Sequence, residues 1–403
     1  MPAASSSKAA PKSGIPLAKT KRPILIALDM GFGWGKLLSS AGIQYVFPSI
    51  VVSGQPSTKL FNFDEINRQK LVVTIDGKTH MVGDQARTKT GGRTSNRTEA
   101  RDRATDTDSQ VLFRTAIALG VPDEEGEYDV ILETGVPNED YGKIYADKLV
   151  EYLKQSFEIT FNLGHGKTVI KKINVIDVDI IRQPEGTVLD HTYRFNPNYR
   201  EEKTLLLPAG KAPKYHGVID IGQGTTDAAL FEDGFIREEE GTSISTEATN
   251  LVYDKLRTKL AIKFAAEGYE YKATDTDLDV MIRTKSLWYA GETHDVTPEI
   301  TESVEEVAEL IVDEVTRAWG SEIQRLQGIL ITGGGADIFF DSLVLAFKSK
   351  NVGGLFKAEM AQYSNVIGFY EMAVLNLVQK GMPQDEIFEE YVVPFLQMLE
   401  EAV

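Results

Sequence analysis

The sequence predicts an α/β protein built from two related domains that face each other across a cleft. Three observations carry that expectation. Strand-length apolar runs alternate with long helical patterns along the chain. The 403 residues exceed the usual size of a single domain. One strand–turn–strand plan also occurs twice: "ILIALDMGFGWGKLL" (24–38) and "VIDIGQGTTDAALFEDG" (218–234) each run from an apolar strand into an aspartate, a glycine-spaced turn and a second strand. One such turn is a weak signal, since Asp-x-Gly-x-Gly occurs in ordinary hairpins. Two, each opening one half of the chain with Asp29 and Asp220 as equivalent acids, imply duplication.

The elements follow in order. Residues 1–22 hold Lys8, Lys12, Lys19, Lys21 and Arg22 with no acid and no apolar signal-peptide core. They are expected to form a disordered basic tail, with an organelle-targeting or DNA-touching arm as the alternative. Structure should begin at Pro23 with the buried-strand pattern "ILIAL". The polar stretch from Gly83 to Gln110 should be an exposed loop leading into a helix at Val111–Leu119. Strand "YDVILETGVP" (128–137) follows, then a helix from about Glu139 to Phe157, then strands "ITFNL" and "INVIDVDIIRQ" (173–183). A connector spans Asn196 to Tyr215. Beyond the second turn come helical patterns at 245–266 and 297–319, strand "GILIT" (328–332) and a helix after Gly335.

Composition removes several functions. A formal net charge of −17 argues against a body that coats nucleic acid, because such binding neutralises phosphates with Lys and Arg. With no cysteine there can be no disulfide, thiolate metal site or cysteine nucleophile, which suits a reducing, cytoplasmic setting. The five histidines are scattered without ligand spacing. No apolar run approaches the ~20 residues needed to cross a bilayer.

The chemistry that suits the paired turns is phosphate binding. Glycines let backbone N–H groups approach an anion with no Cβ in the way. In the first turn these are Gly31 and Gly33 with Phe32 between them; in the second, Gly222 and Gly224 with Gln223. The hydroxyls of Thr225 and Thr226 can add donors. Asp29 and Asp220 are hard oxygen ligands suited to Mg²⁺ held through water, and Lys36 can neutralise outer phosphates as a point charge. Phe32 and Trp34 are expected to pack the first turn against a neighbour rather than touch a base. Asp227 stands open between a structural acceptor that pins the second turn and a catalytic role. "GILITGGGADIFFDSL" (328–343) reads as strand, glycines, helix, placing Gly333, Gly334 and Gly335 at a helix N-terminus. Rival glycine motifs fail: "GFGWGKL" is one residue too short for a P-loop and has Leu37 where Ser or Thr is needed, "FNLGHGKTV" has Phe161 in place of the first glycine, and neither paired turn supplies the third glycine of a dinucleotide fingerprint.

Taken together, the two Asp-x-Gly turns, the Gly-Gly-Gly turn and their order resemble the actin fold shared by actin, heat-shock chaperone ATPases and sugar kinases. The resemblance narrows to the plasmid-segregation actins of the ParM type at "DVDIIRQPEG" (177–186), "ITGGGADIFFDSL" and "AQYSNVIGFYEMAV" (361–374), and extends over nearly all of residues 23–377. The longer 196–215 connector, the basic tail and the C-terminal "MPQDEIFEEYVVPFLQMLEEAV" depart from that pattern.

The resemblance implies a division into a tail (1–22), domain I (23–195), domain II (196–362) and C-terminal helices returning to domain I (363–403). It also implies that Glu185, ending a Pro-Glu strand, orients the attacking water, while Asp29 and Asp220 hold Mg²⁺ beside ATP or GTP. The function implied is a polymerising ATPase whose filaments, made of copies of itself, segregate plasmid or other DNA through a DNA-binding adaptor of the ParR type. A small-molecule kinase of the same fold is the alternative, although no sugar-kinase substrate motif appears. A phage or archaeal cytoskeletal relative with non-DNA cargo is another. A chaperone would need a substrate domain for which no residues remain, and a membrane anchor would want a basic amphipathic terminal helix where this tail is acidic.

Overall fold

The structure is a computed structural model that describes residues 18–19, 22–56, 63–89, 102–209, 213–237, 242–244, 248–348, 350, 352 and 354–401. Most of the expected basic tail lies outside the described residues. Of it, Ala18–Lys19 pair beside Gly126–Glu127, and Arg22 forms an ion pair with Glu386 at 2.8 Å.

The first half is organised by strand β1 (Ile24–Met30), which is buried throughout. Alternate residues of a strand point to opposite faces. Ile24, Ile26, Leu28 and Met30 therefore enter one core and Leu25 and Ala27 another. β1 turns into β2 (Trp34–Ser39), which pairs with β3 (Ile43–Pro48). The sheet continues through β4 (Val51–Ser53), β5 (Leu71–Ile75), β6 (Lys78–Val82), β7 (Gly126–Val136), β8 (Phe157–Gly164) and β9 (Lys167–Arg182) in the spatial order β3-β2-β1-β7-β9-β8-β5-β6-β4. β1, β7 and β9 run parallel. One face is covered by α1 (Thr107–Leu119) and α2 (Ile144–Leu153).

Several boundaries differ from the sequence expectation. α1 starts at Thr107 because Asp106 caps it, its carboxylate accepting from the Ser109 N–H at 2.8 Å. The helix expected over 139–157 is confined to Ile144–Leu153. The strand expected over 173–183 begins at Lys167 and ends at Arg182, with a register shift between Val175 and Asp177. Gln183 already belongs to α3 (Gln183–Thr192), since Pro184 suits a helix's first turn. Pro184 and Glu185 therefore open a helix and do not end a strand. The polar 83–110 stretch is not an exposed loop throughout: Asp84–Arg87 form a short helix, Ala104 is buried and α1 takes in its end, while residues 90–101 lie outside the described residues.

The second half repeats the plan. β10 (Tyr215–Ile221) turns into antiparallel β11 (Thr226–Glu232). Further on, β12 (Gly328–Thr332) lies parallel to β10, and β13 (Gly354–Lys357) is parallel to β12. Between them α4 (Ala248–Ala266), α5 (Asp275–Thr284) and α6 (Thr297–Trp319) build the helical layers, with α7 (Ala336–Lys348) after β12. α6 matches its expected span because the sequence marks both ends: Pro298 in the first turn and Gly320, at φ +52°, after the last.

A third core closes the back of the first sheet. α8 (Ser364–Gln379) lays Val366, Phe369, Tyr370 and Val374 over Leu25 and Ala27. The 196–215 connector joins this core through Tyr199 and Leu205, so it is partly built in. α3 and α8 touch backbone to backbone: a Cβ on Gly368 would lie 1.8 Å from the Gly186 carbonyl oxygen. These two helices carry the chain between the halves.

Candidate functional site

The two turns are the same structure twice. In the first, Asp29 pairs across the hairpin with Lys36 and Met30 with Gly35; in the second, Asp220 pairs with Asp227 and Ile221 with Thr226. The Gly31 N–H donates to the Trp34 carbonyl at 3.1 Å, and the Gly222 N–H to the Thr225 carbonyl at 2.8 Å. A Cβ on either glycine would meet that same oxygen, at 3.0 Å and 2.9 Å respectively, which is why the first glycine of each turn is needed.

The second glycine has a different reason. A Cβ on Gly33 would lie 2.0 Å from Gln223 Oε1, and one on Gly224 would lie 3.2 Å from Phe32 Cβ. Each turn thus receives, beside its second glycine, the central side chain of the other. The Gly-x-Gly spacing lets the two domains interlock face to face.

Around this contact lies a cavity of about 470 Å³, within the range of small-molecule sites. Of the residues singled out from the sequence, it is lined by Asp29, Gly31, Phe32, Gly33, Trp34, Lys36, Asp220, Gly222, Gln223, Gly224, Thr225, Gly334 and Gly335. Four others stand apart from the lining. Asp227 is buried in β11 across the hairpin from Asp220. Thr226 is buried in β11. Gly333, at φ +87°, sits where a Cβ would lie 2.2 Å from Asp220 Oδ1, so its place is to let that carboxylate fit. Glu185 lies in the first turn of α3, accepting from the Arg182 N–H at 3.1 Å and from the Arg182 guanidinium at 3.0 Å. The Gly335 N–H is also engaged, donating to the Ile221 carbonyl at 2.9 Å, so the glycines after β12 serve close packing as well as the cavity wall.

Both acids are buried and each accepts from an amide at the start of a helix. Gln183 Nε2 donates to Asp29 Oδ1 at 3.1 Å, and Asn365 Nδ2 to Asp220 Oδ2 at 2.6 Å. Lys36 Nζ adds a bond to Asp29 Oδ2 at 2.7 Å. Burial works against the charge on Lys36, but Asp29 and then Asp220 outweigh it and its pKa is raised. Asp220 has no such partner: burial, helped by the nearby Asp29 charge, pushes it up to about 6 against the pull of the Asn365 bond and the Lys36 charge. Asn365 continues the network, its Oδ1 accepting from Thr187 Oγ1 at 2.6 Å, so Asp220 is tied to α3.

Among the described residues no group of three or more His, Cys, Asp or Glu is placed to ligate an ion directly. The donor set here is two carboxylates, each already holding a protein donor. That fits Mg²⁺, which retains waters and takes few protein ligands.

Sequence reading missed Gln183, Asn365, Arg103, Tyr253, Arg283 and Tyr363, all of which line the cavity. Gln183, Tyr363 and Asn365 lie within the segments 177–186 and 361–374 that carry the resemblance, without having been assigned to the site. Arg103 carried no signal within its polar segment.

Comparison with known proteins agrees with this geometry. Residues 27–186 match the family described as actin-like proteins, N-terminal domain, and residues 218–344 match the archaeal actin homologue MreB-like, C-terminal. No curated protein matches by sequence. Among solved structures, a 15-stranded ParM filament from Clostridium botulinum is similar with a TM-score of 0.68 at 20% identity, covering 87% of this chain and 99% of that one. An archaeal actin homologue in complex with ADP gives 0.63 at 17% identity, over 86% and 97%. A Bacillus thuringiensis ParM hybrid protein with ADP, containing two ParM mutants, gives 0.63 at 16% identity, over 89% and 49%. The fold is actin-like.

Proposed function

From an actin-like fold whose two halves match an actin-like N-terminal and an archaeal MreB-like C-terminal domain, we propose that the protein is a nucleoside triphosphatase whose hydrolysis drives the assembly and loss of its own filaments. The observation that carries this reading is the interlocked pair of turns, with Asp29 and Asp220 buried beneath them on one cavity. A nucleotide's phosphates placed between such turns touch both domains at once. Their number then biases the angle between the domains.

In this reading the protein positions the phosphates and neutralises charge, since phosphoryl transfer leaves little covalent work for it. Lys36, bonded to Asp29, would add positive charge beside the phosphates from the first turn. Asp29 and Asp220 would hold Mg²⁺ through its waters, which supplies charge neutralisation of the phosphates when bound. Gln183, which lines the cavity and donates to Asp29, would orient an attacking water. Glu185, the acid the motif resemblance pointed to, holds the start of α3 through Arg182 and so keeps Gln183 at the cavity. ATP and GTP remain equal candidates.

Filament growth follows from head-to-tail contact, which is heterologous and need not close. The solved filament among the similar structures supports this, as does a cavity lined by both turns. We further propose plasmid or other DNA as the cargo, held through a basic adaptor of the ParR type, because a body of net charge −17 is poorly suited to hold DNA itself. The setting proposed is cytoplasmic; no helix among the described residues is long and apolar enough to cross a membrane.

Light scattering with electron microscopy tests the reading. Adding ATP or GTP with Mg²⁺ should raise scattering above a critical protein concentration, with filaments on the grid, and the signal should decay as nucleotide is consumed. Assembly should also respond to salt, since screening weakens repulsion between acidic subunits. A protein that hydrolyses nucleotide yet sediments as a monomer at tens of micromolar across salt conditions would overturn the filament reading in favour of a small-molecule kinase.

A further inference from the structure

Arg103 precedes α1 by four residues and has no role in the account above. Its guanidinium donates to the Met30 carbonyl and stacks over the Phe32 ring, 4.4 Å from the centroid. It is only partly exposed, and it lines the cavity beside Asp29 and Lys36. Met30 and Phe32 bracket the start of the first turn, and Phe32 reaches across to Gly224 of the second. The arginine is thus held where the two turns meet.

The charges of the cavity wall say what it is for. Lys36 is spent on Asp29 at 2.7 Å, and Arg283 on Asp279 at 2.6 Å. Among the described residues no carboxylate stands within ion-pair distance of Arg103, although Asp29, Asp140, Asp106 and Asp227 favour its charge from farther off. A buried cation without a partner is costly, and it is retained where a ligand supplies the missing anion. One of its five N–H donors is used by Met30, so most of the fork is left for an anion.

We propose that Arg103 is a phosphate-binding arginine supplied in cis, which distinguishes a nucleoside triphosphate from the diphosphate by bonding the terminal phosphate. This rests on the nucleotide reading given above. Stacking on Phe32 and the bond to Met30 pre-organise the planar group, and a guanidinium can meet phosphate oxygens with two parallel bonds where a lysine cannot. The position favours the terminal phosphate because Met30 and Phe32, which hold Arg103, follow directly on Asp29, whose carboxylate binds Lys36 and Gln183, the groups assigned above to the phosphates and the attacking water.

The test is calorimetric titration of the parent, Arg103→Gln and Arg103→Lys with Mg²⁺–ADP and with a non-hydrolysable Mg²⁺–ATP analogue, or the guanine pair if the parent prefers it. Arg103→Gln should bind the triphosphate analogue about ten- to a hundredfold more weakly, the scale of a charge-assisted hydrogen bond, while ADP affinity stays nearly unchanged. Arg103→Lys, which keeps the charge but not the fork, should fall between. If Arg103→Gln fails to fold, the lysine variant must still show selective weakening of the triphosphate. Equal losses for both nucleotides would make Arg103 a staple of the first turn and overturn the proposal, as would no loss at all. A parent protein that binds neither nucleotide overturns the underlying nucleotide reading instead.

Discussion

The two turns share a backbone and differ in charge. Opposite Asp29, across the first hairpin, stands Lys36; at the same register in the second, opposite Asp220, stands Asp227. Each buried acid has one amide donor, Gln183 in one case and Asn365 in the other. The first acid is therefore neutralised within its own hairpin, while the second has no cation across its hairpin and has its pKa held up by burial and the Asp29 charge against the Asn365 bond and the Lys36 charge. Arg103 adds a further cation on the first side. Duplication repeated the turn, and divergence at one register position separated the charges: the first hairpin pairs its acid with a lysine, and the second keeps an acid that, in the function proposed above, a metal would relieve.

That contrast is broken most severely at Asp220. Asp220→Asn should lower Mg²⁺–nucleotide turnover on the order of a hundredfold or more, the scale of several kcal/mol of metal charge stabilisation, yet leave the nucleotide-free protein no less stable. Raised from 3.8 to about 6, Asp220 holds a proton between those pH values in the folded state that the unfolded chain has released. Stability linked to it is therefore present below about pH 4 and lost as pH rises to about 6. The advantage of the asparagine variant in thermal melts should grow across that window and then level off. For the same reason the parent's Mg²⁺-dependent nucleotide affinity should weaken as pH falls below about 6, when a proton replaces the cation's claim on the carboxylate. Normal hydrolysis by a folded Asp220→Asn protein would remove the residue from the site.

Lys36→Met makes the opposite break. It strands Asp29 in the interior with only the Gln183 amide, and removing one partner of a buried ion pair costs about 3–5 kcal/mol. Denaturant unfolding of the nucleotide-free protein should show that loss, which Asp220→Asn does not. If Lys36→Met melts like the parent, the first hairpin is not neutralised internally and the proposed division of charge fails.

How much of this was visible in the sequence depends on distance along the chain. The hairpins, α6 and the strand–glycine–helix after Gly328 follow from short-range chemistry: an acid, glycines at fixed spacing, Pro and Gly at helix ends. What was hidden depends on residues far apart. Arg103 is one of five arginines between Arg87 and Arg103, and nothing local separates the one that stacks on Phe32 from the rest. Gln183 was overlooked because Pro184–Glu185 beside it carries the stronger motif, whereas the strand ends one residue earlier and its amide, not the carboxylate, meets Asp29. Phe195, Tyr199 and Leu205 have no periodicity to betray that the connector enters a core with Tyr370 and Phe395.

The smallest predicted effects test the interlock itself, where the two turns are equivalent in plan but not in closeness. At Gly33 an added Cβ would lie 2.0 Å from Gln223 Oε1 and 2.7 Å from its Cβ, so the side chain cannot escape by moving its tip alone. At Gly224 the added atom would sit 3.2 Å from Phe32 Cβ, a contact relieved by a shift of a few tenths of an ångström. Overpacking a tight site costs about 1–3 kcal/mol. Gly33→Ala should therefore weaken nucleotide binding by about one of those steps, and Gly224→Ala by less. Adding Gln223→Gly to Gly33→Ala removes the clashing atoms and should restore most of the loss in a double-mutant cycle. The cycle is informative because Gly33 and Gln223 lie in different domains, so a coupling between them measures closure of the cleft and not the folding of either hairpin. Additive losses, or a Gly224→Ala defect larger than that of Gly33→Ala, would mean that the turns do not meet in the nucleotide-bound protein.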